Sequence, residues 1–222
     1  KISAVRDYQE VPPGRELYEA GEAVVLPGLV DTHVHINQPG RTDLEGFETA
    51  TRAAAAGGIT TLVEMPLNSI PATTSRAALE VKLEAARGRC WVDVGFWGGV
   101  VPGNSGELGG LYQAGGFGFK CFLVPSGVPE FEPVSEADLR AALPVLAALG
   151  APLLVHAELP GPIQEAAGSL ASRPPTPYST WLDSRPRESE DQAIELLIRL
   201  SREFLARIHV VHLSSSDALP VL

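Results

Sequence analysis

Lysine is nearly missing from this chain. Lys1, Lys82 and Lys120 stand against fourteen arginines. Cysteine is as scarce, with only Cys90 and Cys121. Two thiols make no disulfide framework and fit a reducing, cytoplasmic compartment. Positive charge is short overall: 17 Lys and Arg against 27 Asp and Glu give a net charge of −10. That balance argues against nucleic acid as a general partner. No apolar run reaches the ~20 residues that cross a bilayer, and no signal-peptide pattern opens the chain, so no membrane partner is expected. What is present is ordinary for a globular protein, 45% hydrophobic and 20% charged residues. A length of 222 residues suffices for a substantial single core.

Histidine is also rare, at five residues, yet two of the five lie side by side. The run Val24-Val25-Leu26-Pro27-Gly28-Leu29-Val30-Asp31-Thr32-His33-Val34-His35 is apolar and then closes on His-x-His. Alternate side chains of a strand share a face, so His33 and His35 point the same way. They lie about 7 Å apart along the strand, at ~3.3 Å per residue. Two neutral imidazoles so placed can grip one metal ion from one side. The plainer alternative is a pair of strand histidines with polar partners.

Residues 1–22 read differently from the rest. Lys1-Ile2-Ser3-Ala4-Val5 suits one strand, and polar sequence with Pro12-Pro13-Gly14 follows. From residue 23 onward apolar β-rich runs alternate with helical patterns. Strands are expected near 24–32, 59–65, 91–97, 118–124, 152–156 and 208–212. Helices are expected near 45–57, 76–88, 105–114, 136–149, 160–170 and 188–205. Ser75 suits a helix N-cap, and Ser135 with Asp138 suits a capping box. A Pro-rich loop is expected before the last helix. Near-continuous apolar strands alternating with helices indicate an α/β protein with a parallel sheet. A (β/α)₈ TIM-type barrel and a doubly wound open sheet both fit. The absence of a Gly-rich phosphate loop after the first strand weakens the second.

His33, His35, His156 and His212 all fall at strand ends, where a barrel carries its chemistry. His209 and His212 are three apart on one expected strand and so face opposite ways; His212, nearer the C-terminal end, is the candidate. Singly, His156 or His212 would suit a core histidine with satisfied hydrogen bonds. Four at the same end of successive strands favour a metal site. Lys120 lies within the apolar run Gly118-Phe119-Lys120-Cys121-Phe122. A buried ammonium is costly unless paired or neutralised. It could snorkel to solvent, form a Schiff base, act as a general base or be modified to bridge metals. A barrel needs eight strands and six are counted. With Lys1 in place of an initiating Met, the expectation is a truncated piece of a longer polypeptide.

Val30-Asp31-Thr32-His33-Val34-His35, Gly118-Phe119-Lys120, Val155-His156-Ala157-Glu158 and His209-Val210-Val211-His212-Leu213-Ser214-Ser215 resemble the cyclic amidohydrolases. That group holds the dihydroorotases, the hydantoinases or dihydropyrimidinases, and the allantoinases. The likeness runs in order from about residue 24 to 217. It implies a (β/α)₈ barrel over 23–222, here truncated, joined to a small β-sandwich to which 1–22 would contribute. It implies His33 and His35 on one of two divalent ions, zinc in expectation, and His156 and His212 on the other. Lys120, carboxylated by CO2, would bridge them. Such a bridge turns a costly buried cation into an anion, and a hydroxide shared by two ions is a nucleophile at neutral pH. The group's proton-shuttling Asp belongs to an eighth strand, so no residue up to Leu222 is assigned that role. Assembly as a homo-oligomer, dimer or tetramer, is a further implication.

Dihydroorotases carry an Arg two residues after His-x-His, which holds the substrate carboxylate. That position here is Asn37. Hydantoinases usually carry a Tyr five residues after the bridging Lys, where this chain has Pro125. Glu64-Met65-Pro66-Leu67-Asn68-Ser69-Ile70-Pro71 is most similar to allantoinases. Asn37 and Asn68 are therefore candidate substrate-binding residues for a neutral cyclic ureide, or else loop residues that cap the backbone. Hydrolysis of allantoin to allantoate is the expected reaction. The alternatives are a hydantoinase or dihydropyrimidinase, a dihydroorotase, or a non-catalytic scaffold of the same fold.

Overall fold

Each apolar run that begins and ends on Gly, Pro or a capping residue becomes one strand or helix of a single repeating pattern. The computed structural model describes residues 4–7 and 11–222. In chain order the elements are β1 (Leu29–Val34), α1 (Phe47–Ala56), β2 (Ile59–Glu64), α2 (Arg76–Ala86), β3 (Asp93–Phe96) and β4 (Gly98–Gly99). They continue with α3 (Leu108–Gln113), β5 (Phe119–Phe122), α4 (Glu136–Leu149), β6 (Leu153–His156), α5 (Pro160–Leu170), α6 (Tyr178–Asp183), α7 (Arg187–Phe204) and β7 (Ile208–Val210). Ser75 Oγ accepts from the Ala78 N–H at 3.2 Å, and Ser135 and Asp138 form the capping box that the sequence indicates.

All strand pairings are parallel, in the orders β1-β2-β3 and β4-β5-β6-β7. The order follows the chain with no reversal, which is a barrel wall and not a doubly wound sheet. Parity then sorts the side chains. Phe119, Cys121, Leu153 and Val155 pack outward with Phe47, Leu139, Leu143 and Ile194 of the helices. Leu154 and Val63 face the other way, into a smaller cluster with Met65, Trp97, Phe131 and Val211. Lys120 pairs in register with Leu154, and Phe122 with His156. The candidate site residues of β5 and β6 are therefore on the inner face, between outward-facing apolar neighbours.

The helix layer holds a second buried charge. Lys82 Nζ of α2 donates to Glu64 Oε2 at 2.5 Å, and both side chains are fully buried. Burial pushes the Glu64 carboxyl up and the Lys82 amine down, while each favours the other's charge. The pair fastens the end of β2 to the helix covering it.

Four expectations are corrected. The first strand begins at Leu29, not near 24, because the Leu29 N–H already bonds to Gly58 O just before β2 starts. Residues 24–28 extend past that neighbour, and Val24, Val25 and Leu26 are exposed. The third strand divides at Trp97: its first half pairs with β2 and its second with β5, a stagger that suits tilted barrel strands. The Pro-rich stretch contains α6. The last strand ends at Val210, so His212 lies beyond it. The strand expected at 1–5 falls largely outside the described residues, and those described before Leu29 form no strand.

Gly118 sets the start of β5 and thus the height of Lys120. Its φ is +154°, and an added Cβ would stand 2.7 Å from the Pro152 carbonyl oxygen. Backbone cannot give way as a flexible side chain can. Gly118→Ala is expected to lower unfolding stability by about 2–3 kcal/mol, read as a lower denaturation midpoint in urea.

Candidate metal centre

Lys120 is fully buried, and among the described residues its Nζ has no hydrogen-bond partner. It lies 4.9 Å from the Phe122 ring centre. Burial pulls its pKa down to about 8, against a smaller opposing effect of Cys121. This is the most anomalous group in the molecule.

Four imidazoles stand in a row beside it. The ring centres of His35 and His33 are 5.3 Å apart, those of His33 and His212 5.6 Å, and those of His212 and His156 4.8 Å. The shared face read from His-x-His is realised, although His35 falls one residue past β1. His212 reaches the row by another route. Its φ of 43° is left-handed, a conformation uncommon outside Gly, and it turns the chain inward after β7 has ended. The parity argument that separated His212 from His209 therefore does not apply; the ring contacts with His33 and His156 are made by His212.

Electrostatics keep three of these rings neutral. Burial lowers the pKa of His33, His35 and His212, with the Lys120 ammonium adding to each, and His212 falls to about 4. Neutral imidazoles offer lone pairs, which is the metal-binding form. Among the described residues no three His, Cys, Asp or Glu side chains close tightly on one point. The unpartnered amine among lone-pair donors is nonetheless the chemistry that a carboxylated lysine between two cations would use. The donor set fits that group.

Each outer imidazole is held by a side-chain hydrogen bond. His35 Nδ1 lies 2.7 Å from Asn68 Oδ1, so with Asn68 as acceptor Nδ1 carries the proton and Nε2 is left for a ligand. Arg41 donates to the Asn68 carbonyl at 3.1 Å and to both Glu130 oxygens at 2.9 and 3.0 Å. Three loops, after β1, β2 and β5, are thereby tied together. At the other end of the row His156 Nε2 lies 2.6 Å from Glu158 Oε2. That hydrogen bond holds the Glu158 carboxyl below its usual range against the opposing effect of burial, and Arg185 lowers it further. The Asn68 amide oxygen thus serves His35. Asn37 is half-buried; its N–H donates to Glu45 O and its carbonyl accepts from the Arg41 N–H.

Arg41, Glu130, Glu158 and Arg185 were given no role from sequence. Glu158 had a signal, standing two residues after a strand-end His. Arg185 had none, lying 27 residues further along the chain.

Residues 24–168 match the amidohydrolase family. The chain belongs to that family. It is 52% identical to an allantoinase of Streptomyces avermitilis, with 100% of this chain and 49% of that protein covered. It is 49% identical to a mitochondrial allantoinase of Aquarana catesbeiana, with 100% and 45% covered. Among solved structures, L-hydantoinase (dihydropyrimidinase) from Arthrobacter aurescens superposes with a TM-score of 0.82 at 34% identity, covering 88% of this chain and 43% of that one. The chain spans about half the length of the curated relatives it matches.

If Lys120 is kept for function and not for folding, removing its charge should stabilise the metal-free protein. Lys120→Met is expected to raise unfolding stability by about 1–3 kcal/mol at pH 7. The pH dependence has a definite sign. The folded pKa, about 8, lies below the ordinary 10.5, so the unfolded chain holds the proton longer. The metal-free parent should gain stability as pH rises from about 8 to 10.5, and the variant should lack that gain. Denaturant titrations at three pH values test both points.

Proposed function

We propose that this chain carries the metal-holding wall of a cyclic amidase that opens allantoin to allantoate. The observation that supports this reading is the buried, unpartnered Lys120 amine facing four imidazoles on the inner face of a parallel barrel wall. In this reading His33 and His35 hold one divalent ion, and His156 and His212 hold the other. Lys120, carboxylated by CO2, joins the two, and zinc suits an imidazole-rich set. Two such ions, when bound, supply the Lewis acidity that makes a nucleophile of water near neutral pH and polarises a ring carbonyl.

The protein's own residues prepare that chemistry. Burial and the Lys120 charge keep His33, His35 and His212 unprotonated at neutral pH. Asn68 turns His35, and the Arg41–Glu130 pair holds the Asn68 loop over the site. Asn37 stands where an arginine would be needed for a carboxylate substrate, which favours a neutral ring. We further propose assembly as a homo-oligomer, dimer or tetramer, a cytoplasmic location in keeping with the free thiols Cys90 and Cys121, and a role for 1–22 in a small β-sandwich.

The test is to compare allantoin, hydantoin and dihydroorotate with the full-length enzyme. The expected kcat/KM for allantoin exceeds that for dihydroorotate by at least ~100-fold, or ~2.7 kcal/mol of discrimination. Asn37→Arg should shrink that ratio, chiefly by weakening allantoin turnover. Equal values in the parent enzyme would overturn the substrate reading in favour of dihydroorotase. A preference for hydantoin over allantoin would favour a hydantoinase.

A further inference from the structure

The His156 ring is constrained on three sides. Phe122, its register partner on β5, stacks on one face with ring centres 4.9 Å apart and planes inclined by 18°. His212 meets it edge to face at 4.8 Å. Glu158 Oε2 lies 2.6 Å from Nε2. Glu158 is itself braced: Arg185 Nη1, between α6 and α7, lies 3.3 Å from Oε2 and 3.4 Å from Oε1. Stacking on Phe122 fixes the plane of the ring but leaves it free to flip about its own axis. Among the described residues, the bond to Glu158 alone distinguishes one nitrogen from the other.

From this geometry we propose that Glu158, braced by Arg185, is the positioning residue that sets the tautomer and orientation of His156. The carboxylate accepts the Nε2 proton, so the ring can offer a lone pair only through Nδ1. Nδ1 then keeps its lone pair free for a ligand. The inference rests on the metal-centre reading and adds to it the residue that decides which nitrogen binds.

A merely structural role fits the surroundings poorly. Glu158 and Arg185 border a cavity of about 390 Å3 that also takes in His156, Arg187, His212 and Ser215. The Arg185 side chain is 45% exposed, and a half-exposed ion pair adds little to stability. Truncating Glu158 widens an existing cavity and opens no void in the apolar core. The arrangement also separates positioning from ligation. A glutamine at 158 can still accept the Nε2 proton through its amide oxygen, but it cannot replace a carboxylate ligand.

The test uses the full-length protein with Glu158→Ala, Glu158→Gln and Arg185→Met. Two readouts are taken: zinc affinity by chelator competition, and the His156 tautomer by 15N imidazole NMR on metal-free protein. Glu158→Ala is expected to weaken the more weakly held zinc by 10–100-fold while the other ion stays bound, and to lower the share of the Nε2-protonated form toward that of a free imidazole. Glu158→Gln should keep that form and most of the affinity, and Arg185→Met should fall between the two. An unchanged tautomer in Glu158→Ala would overturn the proposal. So would a Glu158→Gln variant as damaged as Glu158→Ala, since that result would make the carboxylate a ligand. If the parent protein takes up no zinc, the metal-centre reading fails, and the tautomer measurement still decides the role of Glu158.

Discussion

An ammonium group on the inner face of an apolar strand costs several kcal/mol unless something neutralises it. Lys120 is in that position with no hydrogen-bond partner among the described residues. Burial of three nearby imidazoles, with the Lys120 charge adding to it, keeps them unprotonated and their electron pairs free. The two buried lysines make the contrast plain. Lys82 lies in the helix layer and is answered by Glu64 at 2.5 Å. Lys120 lies on the opposite face of the wall and is left unanswered. A protein that only needed a stable barrel would have placed an aliphatic side chain there.

The row of imidazoles is held from both ends by side-chain networks that reach residues remote in sequence. Asn68, Arg41 and Glu130 converge on His35 from three loops, and Glu158 with Arg185 converges on His156 from the α6–α7 side. The strands supply position, and these side-chain hydrogen bonds supply direction. Movement of any one loop would therefore alter the aim of a ring without moving its strand.

Much of this was legible in the sequence, for physical reasons. Period-two alternation placed His33 and His35 on one face, and the apolar run around Lys120 marked its anomaly. Capping chemistry at Ser75 and Ser135 located two helix starts within a residue. Strand parity could not reach His212, because β7 ends two residues earlier and a left-handed φ does the turning. The start of β1 depends on where its neighbour β2 begins, which no local pattern encodes. The sequence makes Asn68 a candidate substrate-binding residue, but its bond to His35 is a contact between residues 33 apart. Arg185 and Glu130 carry no local pattern, since only the fold brings them to the partners they hold.

Trp97 sits where the third strand passes from one neighbour to the other, and its indole N–H donates to the Thr32 carbonyl at 2.9 Å. Thr32 is the residue before His33. The other two indoles, Trp91 and Trp181, are 64% and 62% exposed, whereas Trp97 is 9% exposed. The molecule therefore carries a built-in optical reporter. Its burial makes one ring, hydrogen-bonded next to the first histidine of the row, the expected source of any blue-shifted, quencher-resistant tryptophan emission. Any event that shifts β1 against the strand carrying Trp97 changes the colour of that light before it changes the secondary structure.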